Sequence, residues 1–316
     1  MTVATRKSAS RAKRAAPQPA PAPSWLGRLL RQIYQPAFLF PLALSLGAII
    51  TWPYLPAWAP DLSSELEYQL TADRLILPPR HDWIPDQFVD RVLTRAGATP
   101  ERPLSLLRIG LAERLAKSLA LEPWVKEVRQ VRQDRRGNVT VDLEYRHPVL
   151  MVSTARGMYA VDGEGVLLPP EDFRAEDIRR FPLARNVSTL PRVGAGDVWS
   201  DPAVLGAARL AALLTPQQDE TDPWRSLGLA AILLPQSPPN GGQPLTYELQ
   251  TTGGSRIIWG HAPGGDSLEP SPDQKLARLV YYREQCGGFE TAQGPTRIDI
   301  RDIEVIYAGA LTENRQ

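Results

Sequence analysis

Cysteine and histidine are both scarce in this chain of 316 residues. The one cysteine, Cys286, excludes an intramolecular disulfide and any metal site built from several cysteines. The three histidines, His81, His147 and His261, lie far apart and show no spacing typical of metal ligands. We therefore expect no cofactor and no bound metal.

Motifs of common catalytic sites are also missing. The sequence has no G-x-S-x-G nucleophile elbow and no phosphate-binding P-loop. Asp162 and Glu164 could form a carboxylate pair, but they lie in the segment VDGEGV, where Asp-Gly and Glu-Gly favour a tight hairpin turn. We therefore expect no enzyme activity and no small-molecule substrate.

Charge is distributed unevenly along the chain. Acidic residues are missing from Met1 to Gln35, a segment with seven basic residues, and residues 36–60 carry no charge at all. Since the whole chain has a net charge of +1, residues 61–316 are net acidic. The basic residues there are scattered among acids, which argues against a nucleic-acid partner.

The uncharged segment predicts one N-terminal transmembrane helix at residues 36–60. The stretch from Phe38 to Trp58 is long enough to cross the roughly 30 Å core of a bilayer. Because basic residues precede it, we expect the N-terminus in the cytoplasm and the bulk of the chain outside, with the protein in the cytoplasmic (inner) membrane. The residues predicted to flank the membrane anchor are Arg28, Arg31, Tyr34, Trp52 and Trp58.

Two other interpretations of this segment stay open. It could be a buried core helix, or a signal peptide cleaved at Ala57-Trp58-Ala59, which has the A-x-A form. Just before it, Trp25 to Ile33 forms either a short amphipathic helix on the membrane surface or an early start of the spanning helix. Residues 1–35 are otherwise predicted to be a basic, Ala/Pro-rich cytoplasmic tail.

The rest of the sequence predicts an α+β fold in two domains. Residues 61–148 show the order strand, helix, helix, strand, strand, with a leucine-rich helix over Leu104–Leu119 and strands over Val125–Gln133 and Asn138–Arg146. Residues 149–310 predict a larger mixed β-sheet with flanking helices and a Pro-rich loop at 235–244, followed by a tail at 311–316. Within the first domain, Trp124 is expected in the core; the alternative is that its strand and the Leu107–Leu119 helix form a partner-contact surface.

Several blocks in this order resemble bacterial cell-division proteins of the FtsQ/DivIB type. The blocks are Glu122-Pro123-Trp124-Val125, Arg146-His147-Pro148, Tyr159–Leu167, Leu190-Pro191-Arg192-Val193-Gly194, Ile257-Ile258-Trp259-Gly260 and Ile298-Asp299-Ile300-Arg301. The resemblance covers about Leu104 to Tyr307 and implies a POTRA-like module followed by a β domain. It further implies a non-catalytic scaffold at the division site, which binds other bitopic division proteins and septal wall synthases.

The last predicted strand is the candidate for partner binding. A strand at the edge of a sheet exposes main-chain groups that a partner strand can pair with, although these residues could instead pack the domain's own core. We expect proline at Val305 or Ile306 to abolish partner capture more than folding. Alternatives for the whole chain are a POTRA adaptor in protein export and an envelope-anchored enzyme. The candidate partner-binding residues are Asp299, Arg301, Ile303, Glu304, Val305, Ile306, Tyr307 and Ala308.

Overall fold

The computed structural model describes residues 36–52, 65–216, 222–235, 245–265 and 268–311. The chain divides into two units, Met1–Leu62 and Ser63–Gln316. Across the described residues the architecture is mixed α/β, with twelve strands in two sheets and seven helices.

The first unit is described through a single helix, α1 (Pro36–Thr51). This helix has 16 residues and would be roughly 24 Å long, short of the ~30 Å hydrocarbon core of a bilayer. No helix among the described residues is both long enough and apolar enough to cross a membrane. The predicted α+β fold included a transmembrane helix at residues 36–60, and that part of the prediction is wrong. Residues 53–60 of the predicted span lie outside the described residues.

The second unit begins with a three-stranded sheet and two helices. The strand order is β1-β3-β2, with β1 parallel to β3 and β2 antiparallel to it. Alternation explains β3, in which Val139, Val141 and Leu143 are buried and the residues between them face outward. The elements are β1 (Leu75–Ile76), α2 (Phe88–Arg95), α3 (Leu111–Ala120), β2 (Val125–Gln133) and β3 (Val139–Tyr145).

A nine-stranded sheet follows in the same unit, in the order β10-β11-β9-β8-β7-β6-β4-β5, with β12 paired to β11. Its elements are β4 (Pro148–Thr154), β5 (Gly157–Asp162), α4 (Ala175–Ile178), β6 (Leu183–Arg185), α5 (Pro202–Leu214), α6 (Pro223–Ser226), β7 (Leu229–Leu233), β8 (Tyr247–Thr251), β9 (Arg256–Gly260), α7 (Pro272–Cys286), β10 (Glu290–Thr291), β11 (Gly294–Asp299) and β12 (Tyr307–Ala310).

The two long helices beside the large sheet, α5 and α7, begin at residue types that commonly cap helices. The Asp201 carboxylate accepts a hydrogen bond from the Ala203 amide at 2.8 Å, with Pro202 in the first turn of α5. At α7, Ser271 and Gln274 form a capping box. Both helices therefore start where the local sequence best satisfies their free N–H groups.

The two sheets share one hydrophobic boundary. Met151 and Ala160, on β4 and β5, and Leu168 just after them pack into the core formed by α2, α3 and the small sheet. Leu150 and Val161 face the other core, which lies between the large sheet, α5 and α7. Because both faces of β4 are covered, most of its residues are buried.

Ionic contacts reinforce this boundary. The Glu122 side chain is only 1% exposed and pairs with Arg91 at 3.1 Å and with Arg95. Arg91 also pairs with Asp172 at 3.1 Å, and the Trp124 indole N–H donates to Asp172 at 2.7 Å. Trp124 is fully buried, which confirms its predicted place in the core.

Candidate protein-binding edge

β12 forms one edge of the large sheet. It pairs antiparallel with β11, from Asp299 opposite Tyr307 to Thr296 opposite Ala310. All four residues of β12 are exposed. No strand among the described residues pairs with its outer side, so this edge is open to solvent.

The hydrogen bonds of β11 and β12 show which main-chain groups face outward. The Leu311 amide donates to the Pro295 carbonyl at 3.1 Å, while the Thr296 amide points the other way and donates to Ser255 Oγ at 2.9 Å. Because these directions alternate along an antiparallel pair, Tyr307 and Gly309 bond to β11. The N–H and C=O groups of Ala308 and Ala310 therefore point away from the sheet.

The register also assigns the side chains of β12 to two faces. Ala308 lies opposite the fully buried Ile298 and so shares the face that packs on the core. Tyr307 lies opposite Asp299 on the other face and is 58% exposed. A strand added to this edge would meet a flat alanine face on one side and an exposed tyrosine on the other.

Only part of the predicted binding segment lies in this strand. Tyr307 and Ala308 belong to β12, whereas Ile303, Glu304, Val305 and Ile306 form the loop that precedes it. The expected strand over these four residues is therefore wrong. Strand pairing resumes only at Tyr307 and continues through Gly309 and Ala310.

This loop is held by a turn and by helix α7. The Asp302 carboxylate accepts hydrogen bonds from the amides of Glu304 at 2.8 Å and Val305 at 3.3 Å. From α7, the Arg278 guanidinium donates to the carbonyl oxygens of Asp302 and Ile303. The turn explains why these apolar residues do not extend the strand, and it leaves Ile303 70% exposed.

Asp299 and Arg301 form an ion pair next to the edge. Arg301 Nη2 lies 2.6 Å from Asp299 Oδ2, and the Arg301 amide donates to the same carboxylate at 3.1 Å. Burial opposes ionisation of Asp299, but the hydrogen bonds from Arg301 outweigh it and lower the pKa of the carboxyl. The hydrogen bond to Asp299 in turn raises the pKa of Arg301. Both groups are thus charged at neutral pH.

Sequence reasoning missed three residues of this region: Gly309, Ala310 and Arg278. Alanine and glycine are poor strand formers, so nothing local marks Gly309 and Ala310 as part of a strand. Arg278 lies on α7, which Ser271 caps, but its contact with the loop depends on tertiary packing.

The predicted membrane-flank residues can be followed only in part. Arg28, Arg31, Tyr34 and Trp58 lie outside the described residues. Trp52 comes directly after α1 and is 73% exposed.

The structure brings together two histidines that the sequence separates. Trp83 stacks on His81 with ring centroids 4.3 Å apart and meets His147 edge-on at 4.4 Å. Burial, with a smaller contribution from His81, lowers the pKa of His147 to about 4. His81 and His147 line a cavity of about 380 Å³ between the two sheets. Across the part of the chain that the structure describes, no group of three potential metal ligands is found.

The Asp162 and Glu164 pair is part of a turn. Asp162 Oδ1 accepts hydrogen bonds from the amides of Glu164 at 2.9 Å and Val166 at 2.8 Å, and Oδ2 pairs with Arg146 at 2.6 Å. The turn predicted from Asp-Gly and Glu-Gly is therefore confirmed, and the Asp162 carboxylate is fully engaged in it.

Comparison with known proteins adds no relative to this picture. The chain matches no protein-family model and no curated protein sequence.

Proposed function

We propose that this chain is a non-catalytic scaffold of the bacterial division machinery, which binds bitopic division proteins and septal wall synthases through its C-terminal edge. The observation that carries the proposal is β12, an exposed edge strand whose Ala308 and Ala310 main-chain groups point outward. The division role rests on the resemblance of the sequence blocks, and the binding mode rests on this edge.

The open edge supplies both affinity and register for a partner strand. Two outward residues offer two N–H donors and two C=O acceptors, which an added strand can satisfy in the manner of β-augmentation. Their methyl side chains leave room for a partner to approach closely. Main-chain pairing of this kind does not depend on the partner's side chains, so specificity must come from neighbouring groups.

Two tyrosines near the edge are suited to that role. Tyr307 projects from β12, and Tyr281 lies on α7 one turn after Arg278, the residue that contacts the loop before β12. Tyr281 is 62% exposed. Exposed tyrosines are frequent anchors at protein interfaces because they bury a large ring and retain a hydrogen-bonding hydroxyl.

Proline at Ala310 tests the edge directly. Ala310→Pro removes an outward N–H and places a ring in the path of a partner strand, while the N–H groups that hold β12 on β11 remain. We expect partner capture in a pull-down from cells to fall by at least about tenfold, with the thermal midpoint nearly unchanged. Val305 and Ile306 lie in the loop, so proline there does not test the edge.

Ala310→Val is the matched control. It keeps the N–H group and improves strand propensity, so capture should persist. The captured proteins, identified by mass spectrometry, should include division proteins and septal synthases. Full capture by Ala310→Pro would contradict the edge-binding mode.

A fluorescent fusion tests the division role separately. Mid-cell signal in dividing cells is the expected result, and an even signal would contradict it. The location of residues 61–316 outside the cytoplasmic membrane stays a prediction, which a reporter of compartment fused after Gln316 would test.

A further inference from the structure

One end of the small sheet carries a protruding apolar loop. Leu107, Arg108, Ile109 and Gly110 are all exposed, with Ile109 fully so and Leu107 at 51%. A Cβ placed on Gly110 would meet no atom within 4 Å, so the space beside Gly110 is open. Leu66, in a turn beside it, is 80% exposed. Two neighbouring segments thus present aliphatic side chains to water.

The base of this loop is rigid. The Leu106 amide donates to the Tyr68 carbonyl at 2.7 Å, and Gln133 Nε2 donates to the Leu106 carbonyl at 2.9 Å. Within the loop, the Arg108 amide donates to the Ser105 carbonyl at 3.2 Å. A loop held in this way cannot turn its leucine and isoleucine inward, so the apolar exposure is a fixed feature. A large apolar surface fixed in water usually marks an interaction site.

Three arginines lie in this loop and in a turn that neighbours it. Arg108 lies between Leu107 and Ile109, and the turn from Asp134 to Asn138, which contacts Leu106 through Gly137, contributes Arg135 and Arg136. The acids of these segments are Glu65, Glu67 and Asp134, and exposed Glu65 and Glu67 lie on either side of Leu66. Asp134 accepts hydrogen bonds from the Arg136 and Asn138 amides, both at 2.8 Å, and its charge is therefore engaged within the turn.

We propose that this tip, formed by Leu107, Arg108 and Ile109 with Arg135 and Arg136 of the neighbouring turn, docks on an anionic lipid surface. The shape favours lipid, because convex loop tips with aliphatic ends can enter the boundary between headgroups and acyl chains without a matching groove. The guanidinium groups beside them suit phosphate-bearing headgroups.

The single cysteine allows a local test in the full chain. Ile109→Cys is combined with Cys286→Ser and labelled with an environment-sensitive nitrobenzoxadiazole dye. Vesicles of phosphatidylglycerol and phosphatidylcholine in equal amounts are added, with pure phosphatidylcholine as the neutral comparison. The local readout is needed because α1 exposes apolar side chains of its own, including Phe40 and Ile50.

Two matched labels report non-specific effects. Leu121→Cys with Cys286→Ser places the dye at another exposed leucine of the same unit, beyond the far end of α3, and the native chain carries it at exposed Cys286. We expect a blue shift and a severalfold rise in emission at position 109 with anionic vesicles, and little change at the other two.

The arginines should set the lipid requirement. In the labelled Ile109→Cys chain, Arg108→Gln and Arg135→Gln should each raise the lipid concentration at half-maximal shift by about fivefold. No shift at position 109 would overturn the proposal, as would equal shifts at positions 109, 121 and 286. Equal response to neutral and anionic vesicles would overturn the assignment to anionic lipid.

Discussion

The two edges of the nine-stranded sheet differ in whether other residues cover them. Beyond β5 the chain folds back and covers the edge, with the Leu168 amide donating to the Ala160 carbonyl at 2.9 Å and Leu167 bridging to Val161. Beyond β12 no described strand does so. The last three residues of β5 are buried, and all four residues of β12 are exposed.

This difference shows where the sheet can accept another strand. Proteins usually cover, shorten or charge their edges because an open edge pairs with other chains. The β5 edge is covered by the segment that contains Leu168, which packs into the core beside the small sheet. This edge therefore contributes to the stability of the unit. The β12 edge is short and made of small residues, so it contributes little to the core and stays available to a partner.

The largest expected effect comes from truncating one side chain at each edge. Leu168→Ala removes a fully buried side chain at the covered edge and should lower the free energy of unfolding by about 3 kcal/mol. Tyr307→Ala removes a larger but 58% exposed side chain at the open edge and should cost no more than about 0.5 kcal/mol. Urea unfolding of both variants measures the difference, and equal losses would show that the two edges are not distinct.

Local pattern predicts the regular parts of this fold well. β2 and β3 lie at Val125–Gln133 and Val139–Tyr145, where alternation and the Asp134–Asn138 turn predict them. The leucine-rich helix is predicted too early, because Leu104 and Leu106 lie in an extended segment paired with Leu70 and Tyr68. Helical spacing of leucines cannot distinguish these two structures, and α3 begins only after Gly110, whose φ of +79° lies in the left-handed region.

The candidate site is less predictable than the strands. Apolar residues after Asp302 read as a strand, but the Asp302 turn and Arg278 hold them as a loop. Ala308 and Ala310 face outward because of the register with β11, which local sequence does not encode.

A second comparison concerns two aspartate–arginine pairs of equal length. Asp162 pairs with Arg146 at 2.6 Å near the covered edge, with side chains 5% and 13% exposed. Asp299 pairs with Arg301 at 2.6 Å near the open edge, with side chains 23% and 42% exposed. Asp162→Asn leaves the buried Arg146 guanidinium with only the exposed Glu164 carboxylate at 3.5 Å, and should cost about 2 kcal/mol of unfolding free energy.

Asp299→Asn is the matched substitution and should cost less than about 1 kcal/mol, because solvent screens an exposed pair. Calorimetric or urea unfolding at pH 7 and at low and high salt checks both values. Salt should weaken the Asp299 pair more than the Asp162 pair. A cost for Asp299→Asn equal to that of Asp162→Asn would mean that the open edge is as tightly integrated as the covered one.

The smallest expected effect is a pH dependence of the free energy of unfolding, which arises at the boundary between the sheets and not at the open edge. The pKa of His147 is lowered to about 4, so between this value and the ordinary pKa of about 6.5 the unfolded chain binds a proton that the folded chain does not. Stability from His147 is therefore complete above pH 6.5 and is lost as the pH falls towards 4. Because the ring is partly solvated, we expect a loss of about 1 kcal/mol between pH 7.5 and pH 5.

His147→Phe should remove most of that loss of unfolding free energy. His81→Phe removes only the lesser cause of the lowered pKa and should retain the loss. Urea unfolding at the two pH values measures both, and an undiminished loss in His147→Phe would place the acid sensitivity elsewhere in the chain.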